Sequence, residues 1–192
     1  MTKTLTGIVV AVVSALAGTA ATPTTLSGTW LSDPVELQAR PAQAKTVVTI
    51  DFGADEASSG VCDFTAVYAL RGCQMGSKTM KVNVPVKVSG KASWELIGSD
   101  LMLTFDPATL SAKADIDHLV LDVPEVMKAA MEARINEFAA GITGSLEDAL
   151  REEIASNSFP MQNLDMPDDK PGTMTANSAD TTGALALTFT RQ

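Results

Sequence analysis

The segment Met80–Phe105, MKVNVPVKVSGKASWELIGSDLMLTF, decides the fold of this chain. Apolar and polar residues alternate along it with a period of two, most clearly between residues 80 and 88. Such alternation predicts strands with one buried and one solvated face, as in antiparallel sheets and small barrels. Gly90 and Gly98 suit tight hairpin turns, because these turns need positive φ angles. We therefore expect a meander of antiparallel strands with turns at these two glycines.

Further strands are predicted on both sides of this segment. The same alternation recurs at residues 46–52, 61–70, 119–123 and 184–191, and a short strand opens near Gly28. Together these stretches predict a mainly β (α+β) fold, an antiparallel β-barrel of about eight strands. Residues 159–172 contain three prolines and no useful period, which predicts a loop there.

A helical insertion is predicted near the C-terminal end, over residues 124–156. Apolar residues recur there at steps of three or four, the period of an amphipathic helix, at Met127, Met131, Ile135, Phe138, Ile142, Leu146, Leu150 and Ile154. One straight helix of this length would span about 50 Å, which exceeds the width of a small barrel. Gly141 and Gly144 favour a break, so we expect two helices or one kinked helix divided near residues 141–145.

The composition narrows the classes of partner. The chain has 192 residues, which is enough for one domain with a sizeable core. Its net charge of −9 argues against nucleic acid and against an anionic membrane surface as partners. The polar face of the predicted helical segment is also net acidic, which argues against an interfacial membrane helix.

Residues 1–21 have the layout of a secretory signal peptide. Lys3 is followed by the apolar run LTGIVVAVVSALA and then by small residues that suit a cleavage site. The apolar run is too short for a comfortable transmembrane span. This pattern predicts an exported protein, periplasmic or at the cell surface or extracellular, with residues 22–192 as its single mature domain. A buried first strand or helix is the alternative interpretation.

Export would place the two cysteines in an oxidising compartment. Cys62 and Cys73 are the only cysteines, so one intramolecular disulfide is possible. Their spacing is far from C-x-x-C, which disfavours redox catalysis and a zinc site. The prediction is therefore a structural disulfide between Cys62 and Cys73.

Several stretches resemble secreted bacterial lipocalin-like (calycin-type) β-barrel domains. Gly28-x-Trp30 is similar to the glycine–tryptophan signature that opens these proteins. The tryptophan hairpin at residues 92–105 and the ending Leu187–Arg191 (LTFTR) are also similar to theirs. The resemblance implies a barrel interrupted by a helical insertion, and a non-enzymatic binding protein for a small apolar ligand.

Five residues are candidates for contact with such a ligand: Trp30, Tyr68, Trp94, Met127 and Met131. The tryptophans could stack on a ligand at the barrel floor, and methionines suit adaptable binding surfaces. The alternative for each of them is ordinary core packing. A barrel of about eight strands either holds one small ligand or fills with side chains.

The sequence offers little for catalysis. His118 is the only histidine, and the carboxylates near it lack the spacing of a full metal-binding loop. Motifs for phosphate, dinucleotide or serine-hydrolase chemistry are absent from the sequence. We therefore predict a non-enzymatic protein with no catalytic or metal site and no cofactor. An enzyme is the third hypothesis, which a concave site with strongly perturbed carboxylates would favour. The alternative to ligand binding is a structural or protein-interaction module with a filled core, whose protein partner the sequence does not identify.

Overall fold

A computed structural model describes residues 26–39, 42–53, 58–75, 77–156, 159–180 and 183–192. The predicted signal peptide at residues 1–21 lies outside the described residues. The strands are β1 Thr29–Ser32, β2 Val35–Ala39, β3 Ala42–Asp51, β4 Ser59–Met75, β5 Ser77–Ile97, β6 Asp100–Phe105, β7 Ser111–Ala114, β8 Val120–Asp122, β9 Phe159–Asp165, β10 Thr173–Asp180 and β11 Gly183–Arg191. The helices are α1 Glu125–Glu132 and α2 Ile135–Ser156.

Eight of these strands form a closed antiparallel barrel, in the order β1, β11, β10, β9, β6, β5, β4, β3. The barrel closes because β1 pairs with β11 on one side and with β3 on the other. Strands β2, β7 and β8 extend the sheet beyond the barrel, β2 along β3 and the other two along β5. The predicted fold class is confirmed, and the architecture is consistent with a lipocalin-like fold.

Strand β5 corrects one predicted turn. It runs unbroken from Ser77 to Ile97, so the chain does not turn at Gly90. A side chain at this position would bring its Cβ within 2.8 Å of the Phe64 ring, which explains the glycine as a close approach inside the sheet. The second predicted turn is confirmed, because Gly98 has a φ of 63° between β5 and β6.

The predicted helical segment is confirmed, but its break is not where the glycines indicate. The chain bends at Ala133 and Arg134, and α2 then passes through residues 141–145 without interruption. Leu146 and Leu150 bury one face of α2 in the barrel's core, and this packing offsets the cost of two helical glycines.

Replacing Gly141 or Gly144 by alanine is expected to stabilise the protein by about 0.5–1 kcal/mol each. Outside the helix's own backbone, no described residue lies within 4 Å of a Cβ added at either position, so alanine gains helix propensity without a clash. Urea denaturation of each variant measures the change. The matched control is Gly90→Ala, which should destabilise through its contact with Phe64. Loss of stability in both helical variants would contradict this assignment of α2.

Strand β9 corrects the predicted loop at residues 159–172. Residues 159–165 pair with β6 and β10, and Met161 and Leu164 are buried in the core. Pro160 is tolerated because the strand is irregular, with a register shift against β10 and a positive φ at Asn163.

Candidate functional site

Trp30 is buried on β1, the strand whose pairing with β3 and β11 closes the barrel. Its ring is 1% exposed, and its Nε1 donates a hydrogen bond to the carbonyl oxygen of Leu26 at 3.0 Å. The Arg191 guanidinium lies 5.3 Å from the ring centroid and donates to the carbonyl and hydroxyl oxygens of Ser27. Gly28 has a φ of 92°, and a Cβ there would lie 3.2 Å from Arg191 Nε. The indole is thus fixed by a hydrogen bond at its Nε1 and by a guanidinium over its ring.

Trp94 belongs to the same core cluster as Trp30. Phe52 packs edge-on against it with ring centroids 5.1 Å apart. The indole lies against Gly60, where an added Cβ would be 3.2 Å from Trp94 Nε1. This Nε1 is buried and has no hydrogen-bond partner among the described residues. Trp94 is therefore packed by neighbouring residues, and its Nε1–H is a buried donor that lacks an acceptor among the described residues.

Tyr68 belongs to a buried row across four strands. Strand register places it beside Thr46 and Val86, and Val86 in turn beside Ala114. The Thr46 hydroxyl is buried without a hydrogen-bond partner within the described part of the chain. Burial raises the pKa of the Tyr68 hydroxyl from 10.0 to about 12. The row is apolar apart from these two hydroxyls.

Stability is expected to fall between pH 10 and pH 12 through Tyr68. In this range the unfolded chain has released the phenolic proton while the folded protein retains it, so rising pH favours unfolding. A shift of about two pKa units corresponds to about 2–3 kcal/mol, fully present below pH 10 and lost as pH passes 12. Urea denaturation at several pH values should show a smaller decline in Tyr68→Phe. Identical pH profiles of the two proteins would contradict the assignment.

The two candidate methionines lie away from the tryptophans. Met131 is buried against Val82 in a small cluster with Leu121 and Phe138. Val82 is twelve residues before Trp94 along β5, a separation of about 40 Å in an extended strand. Met127 is 38% exposed on α1. Trp30 and Trp94 belong to one core cluster, whereas Met131 belongs to a second cluster and Met127 is exposed.

A set of inward-facing side chains in the described interior is fully buried, with no water-sized void beside them. Inward-facing residues with 0–1% accessible surface are Val82, Val84, Val86, Val88, Leu101, Leu164 and Met174. A void large enough for water would leave accessible surface on the side chains around it. Apart from Val82, which packs with Met131 in the second cluster, these side chains belong to one apolar core, which α2 extends with Leu146 and Leu150. Val48, Phe64 and Leu187 pack against this core and are only partly buried.

The predicted disulfide is not formed. Both cysteines are free, Cys62 buried and Cys73 partly buried. They lie on the same strand, β4, opposite Ala92 and Val82 of β5. Eleven residues of extended strand separate them by about 35 Å, whereas a disulfide needs Cα atoms within about 7 Å. Burial raises the pKa of both thiols, that of Cys62 to about 11, which keeps them protonated and unreactive.

His118 makes an exposed pair with Asp115, its Nδ1 lying 2.7 Å from the Asp115 carboxylate. Within the described ranges, no three His, Cys, Asp or Glu side chains are grouped so as to hold a metal ion. No helix in that part of the chain combines the length and apolar character that a membrane crossing requires.

An exposed apolar stretch around β8 and the start of α1 is not among the candidate residues predicted from the sequence. Its large apolar side chains are Ile116 at 38%, Val120 at 58%, Met127 at 38% and Val126 at 93% exposure. Val120 lies between Leu119 and Leu121, out of phase with the inward residues of this strand. The alternation of this strand thus places Val120 on the solvated face, which is the sequence signal for the exposed stretch.

Comparison of the chain with protein-family models, with curated proteins and with solved structures finds no match.

Proposed function

We propose that this protein is a non-enzymatic protein-interaction module, in which the barrel is a solid scaffold and the surface binds a partner. The observation that carries the proposal is the packed interior. Trp30, Tyr68 and Trp94 are all buried by neighbouring side chains. The exposed apolar stretch around β8 supplies the kind of surface that marks an interaction site.

A carrier of small apolar molecules needs a cavity that encloses most of its ligand. In the described core, Val86 and Leu101 have no accessible surface, and Val84 has 1%. A ligand would have to displace such side chains, and close-packed interiors resist changes of even one methylene group. The packing therefore favours a filled barrel over a lipocalin-like ligand-binding barrel.

The two tryptophans allow a direct test of this choice. Trp30 and Trp94 are the only tryptophans of the chain, and both are buried in the same core cluster. Bromine quenches indole fluorescence on contact, so a titration with bromododecanoic acid reports whether an apolar chain enters there. We expect no saturable quenching. Stoichiometric, saturable quenching would contradict the filled barrel.

Binding of a small apolar ligand is the second candidate, and the unsatisfied buried hydroxyl of Thr46 and Nε1 of Trp94 favour it. Buried polar groups usually have a partner, and a few well-placed polar groups in an apolar interior are typical of ligand sites. Both atoms are inaccessible to water in the packed structure, so a ligand would reach them only after the core opened.

Thr46→Val separates these two candidates. In a filled barrel it replaces an unsatisfied hydroxyl by a methyl group of similar shape, and we expect a gain of about 1 kcal/mol in the free energy of unfolding. Urea denaturation measures it, with the exposed Thr190→Val as a control that should change little. A ligand anchored at Thr46 would instead lose affinity in the variant, which would favour the second candidate.

The proposal includes membership of the lipocalin-like barrel proteins and export from the cytoplasm. The closed barrel with its Gly28-x-Trp30 opening supports the first, and the signal-like pattern of residues 1–21 supports the second. Mass spectrometry of the protein recovered from the periplasm or medium tests export. A mature N-terminus near residue 22 is expected, and an intact N-terminus on protein found only in the cytoplasm would contradict it.

A further inference from the structure

We infer that the free edge of β8 binds an extended, positively charged segment of a partner protein by strand addition, an inference that rests on the function proposed above. Strand β8 pairs with β5 on one side only, among the strands that the structure describes. Its other edge presents backbone N–H and C=O groups, which are a ready template for another strand.

The neighbouring strand β7 is covered by a helix, whereas no described strand pairs with the outer edge of β8. Strand β7 is covered by α2, where Glu147 accepts a hydrogen bond from the backbone N–H of Ala112. Arg151 donates to the carbonyl oxygen of Leu110, just before β7. Proteins usually blunt a free edge with lysine, proline or a bulge. Strand β8 has no lysine, proline or bulge; its protection is its length of three residues and the charge of Asp122, and it exposes Val120.

The apolar surface continues past the end of β8. Glu125 opens α1 three residues after Asp122, so the two Cα atoms lie within about 11 Å of each other. Val126 follows at once and is 93% exposed. An added strand alternates its side chains between the two faces of the sheet. The side chains on one of its faces would lie next to Val120, and the strand's continuation would pass the start of α1.

Charge selects the partner. Four exposed acids, Asp115, Asp117, Asp122 and Glu125, lie between Lys113 and Lys128, and Asp115 pairs with His118. With these two lysines counted, residues 113–128 carry a net charge of −2. On β5, Lys81 lies opposite Asp122, on the side away from the free edge. Val120 and Asp122 are two residues apart and share one face of the sheet. A partner strand with an apolar and a basic residue two positions apart, both on that face, complements this edge. A second copy of the chain, itself at −9, would bring carboxylates against carboxylates and is disfavoured.

Fluorescence anisotropy with a labelled peptide of the repeat Lys-Ser-Val-Ser tests the inference, because an extended strand of this repeat presents lysine and valine on the same face. We expect the double variant Val120→Ser with Asp122→Lys to bind this peptide at least tenfold more weakly than the unaltered protein. The matched control, Val61→Ser with Glu95→Lys, makes the same chemical change at two exposed positions of β4 and β5 and should bind normally. Thermal denaturation confirms that both variants are folded. Equal binding by the two variants would overturn the inference.

Further arms separate the inference from the proposed function. If peptides in which glutamate or serine replaces each lysine bind this edge as tightly as the lysine peptide, the charge selection is overturned and a protein-interaction module remains. Binding to anionic vesicles in place of the peptide, or dimers in sedimentation that the β8 variant abolishes, would also overturn the inference. Saturable uptake of bromododecanoic acid together with no peptide binding would overturn the proposed function itself.

Discussion

Replacing Trp30 by alanine is expected to lower the free energy of unfolding by about 3–5 kcal/mol. The change leaves a cavity in the core where the buried indole was. It also removes the hydrogen bond from Nε1 to Leu26 and the ring beneath Arg191. Since a domain is stable by only about 5–15 kcal/mol, the loss leaves the variant marginal. Urea denaturation followed by far-ultraviolet circular dichroism measures it.

Trp30→Phe is the control, because it keeps most of the ring volume and loses the N–H donor. It should cost clearly less than the alanine variant. A loss below about 1 kcal/mol in Trp30→Ala would contradict the placement of this side chain, since exposed substitutions usually change stability by about half of that.

Replacing Leu101 by alanine is expected to cost about 3–5 kcal/mol, because the side chain has no accessible surface and lies between Leu96 and Met161 on neighbouring strands. The control Ile97→Ala removes a large aliphatic side chain that is 58% exposed at the end of β5 and should cost less than about 1 kcal/mol.

Leu101→Ala also reports on whether the barrel starts out filled. A new apolar cavity stays dry and accepts small molecules such as benzene. Benzene should therefore raise the melting temperature of Leu101→Ala and leave that of the unaltered protein unchanged. An equal benzene effect on both proteins would mean that a cavity exists without the substitution.

The sequence predicts the barrel because the period of two persists through its core strands. In β4 and β5 the inward residues stay in phase from Cys62 to Leu70 and from Val82 to Trp94. This phase also passes through Gly90 unchanged, which distinguishes a glycine in close contact from a glycine in a turn. The chemistry of glycine alone does not make that distinction, because both uses depend on its missing side chain.

Other features depend on contacts that a linear pattern does not contain. The extension of β4 to Met75 is set by its pairing with β5, and it carries Cys73 away from Cys62. The continuity of α2 depends on its packing against the barrel, since its glycines favour a break. Strand β9 forms despite Pro160 because β6 and β10 flank it.

The candidate site depended on the same kind of information. Periodicity identifies Trp30, Tyr68 and Trp94 as inward residues, but whether inward residues surround a ligand or one another is decided by the spacing of strands around the barrel. The exposure of Val126 likewise follows from the face that α1 presents after Met131 packs on Val82.

Native mass spectrometry tests the filled barrel most directly. The protein is purified without detergent, incubated with a mixture of fatty acids and phospholipids, and transferred to the gas phase in its folded state. We predict the mass of the polypeptide alone. A reproducible additional mass, bound at one molecule per chain and lost on denaturation, would contradict the filled barrel and establish the protein as a carrier of that ligand.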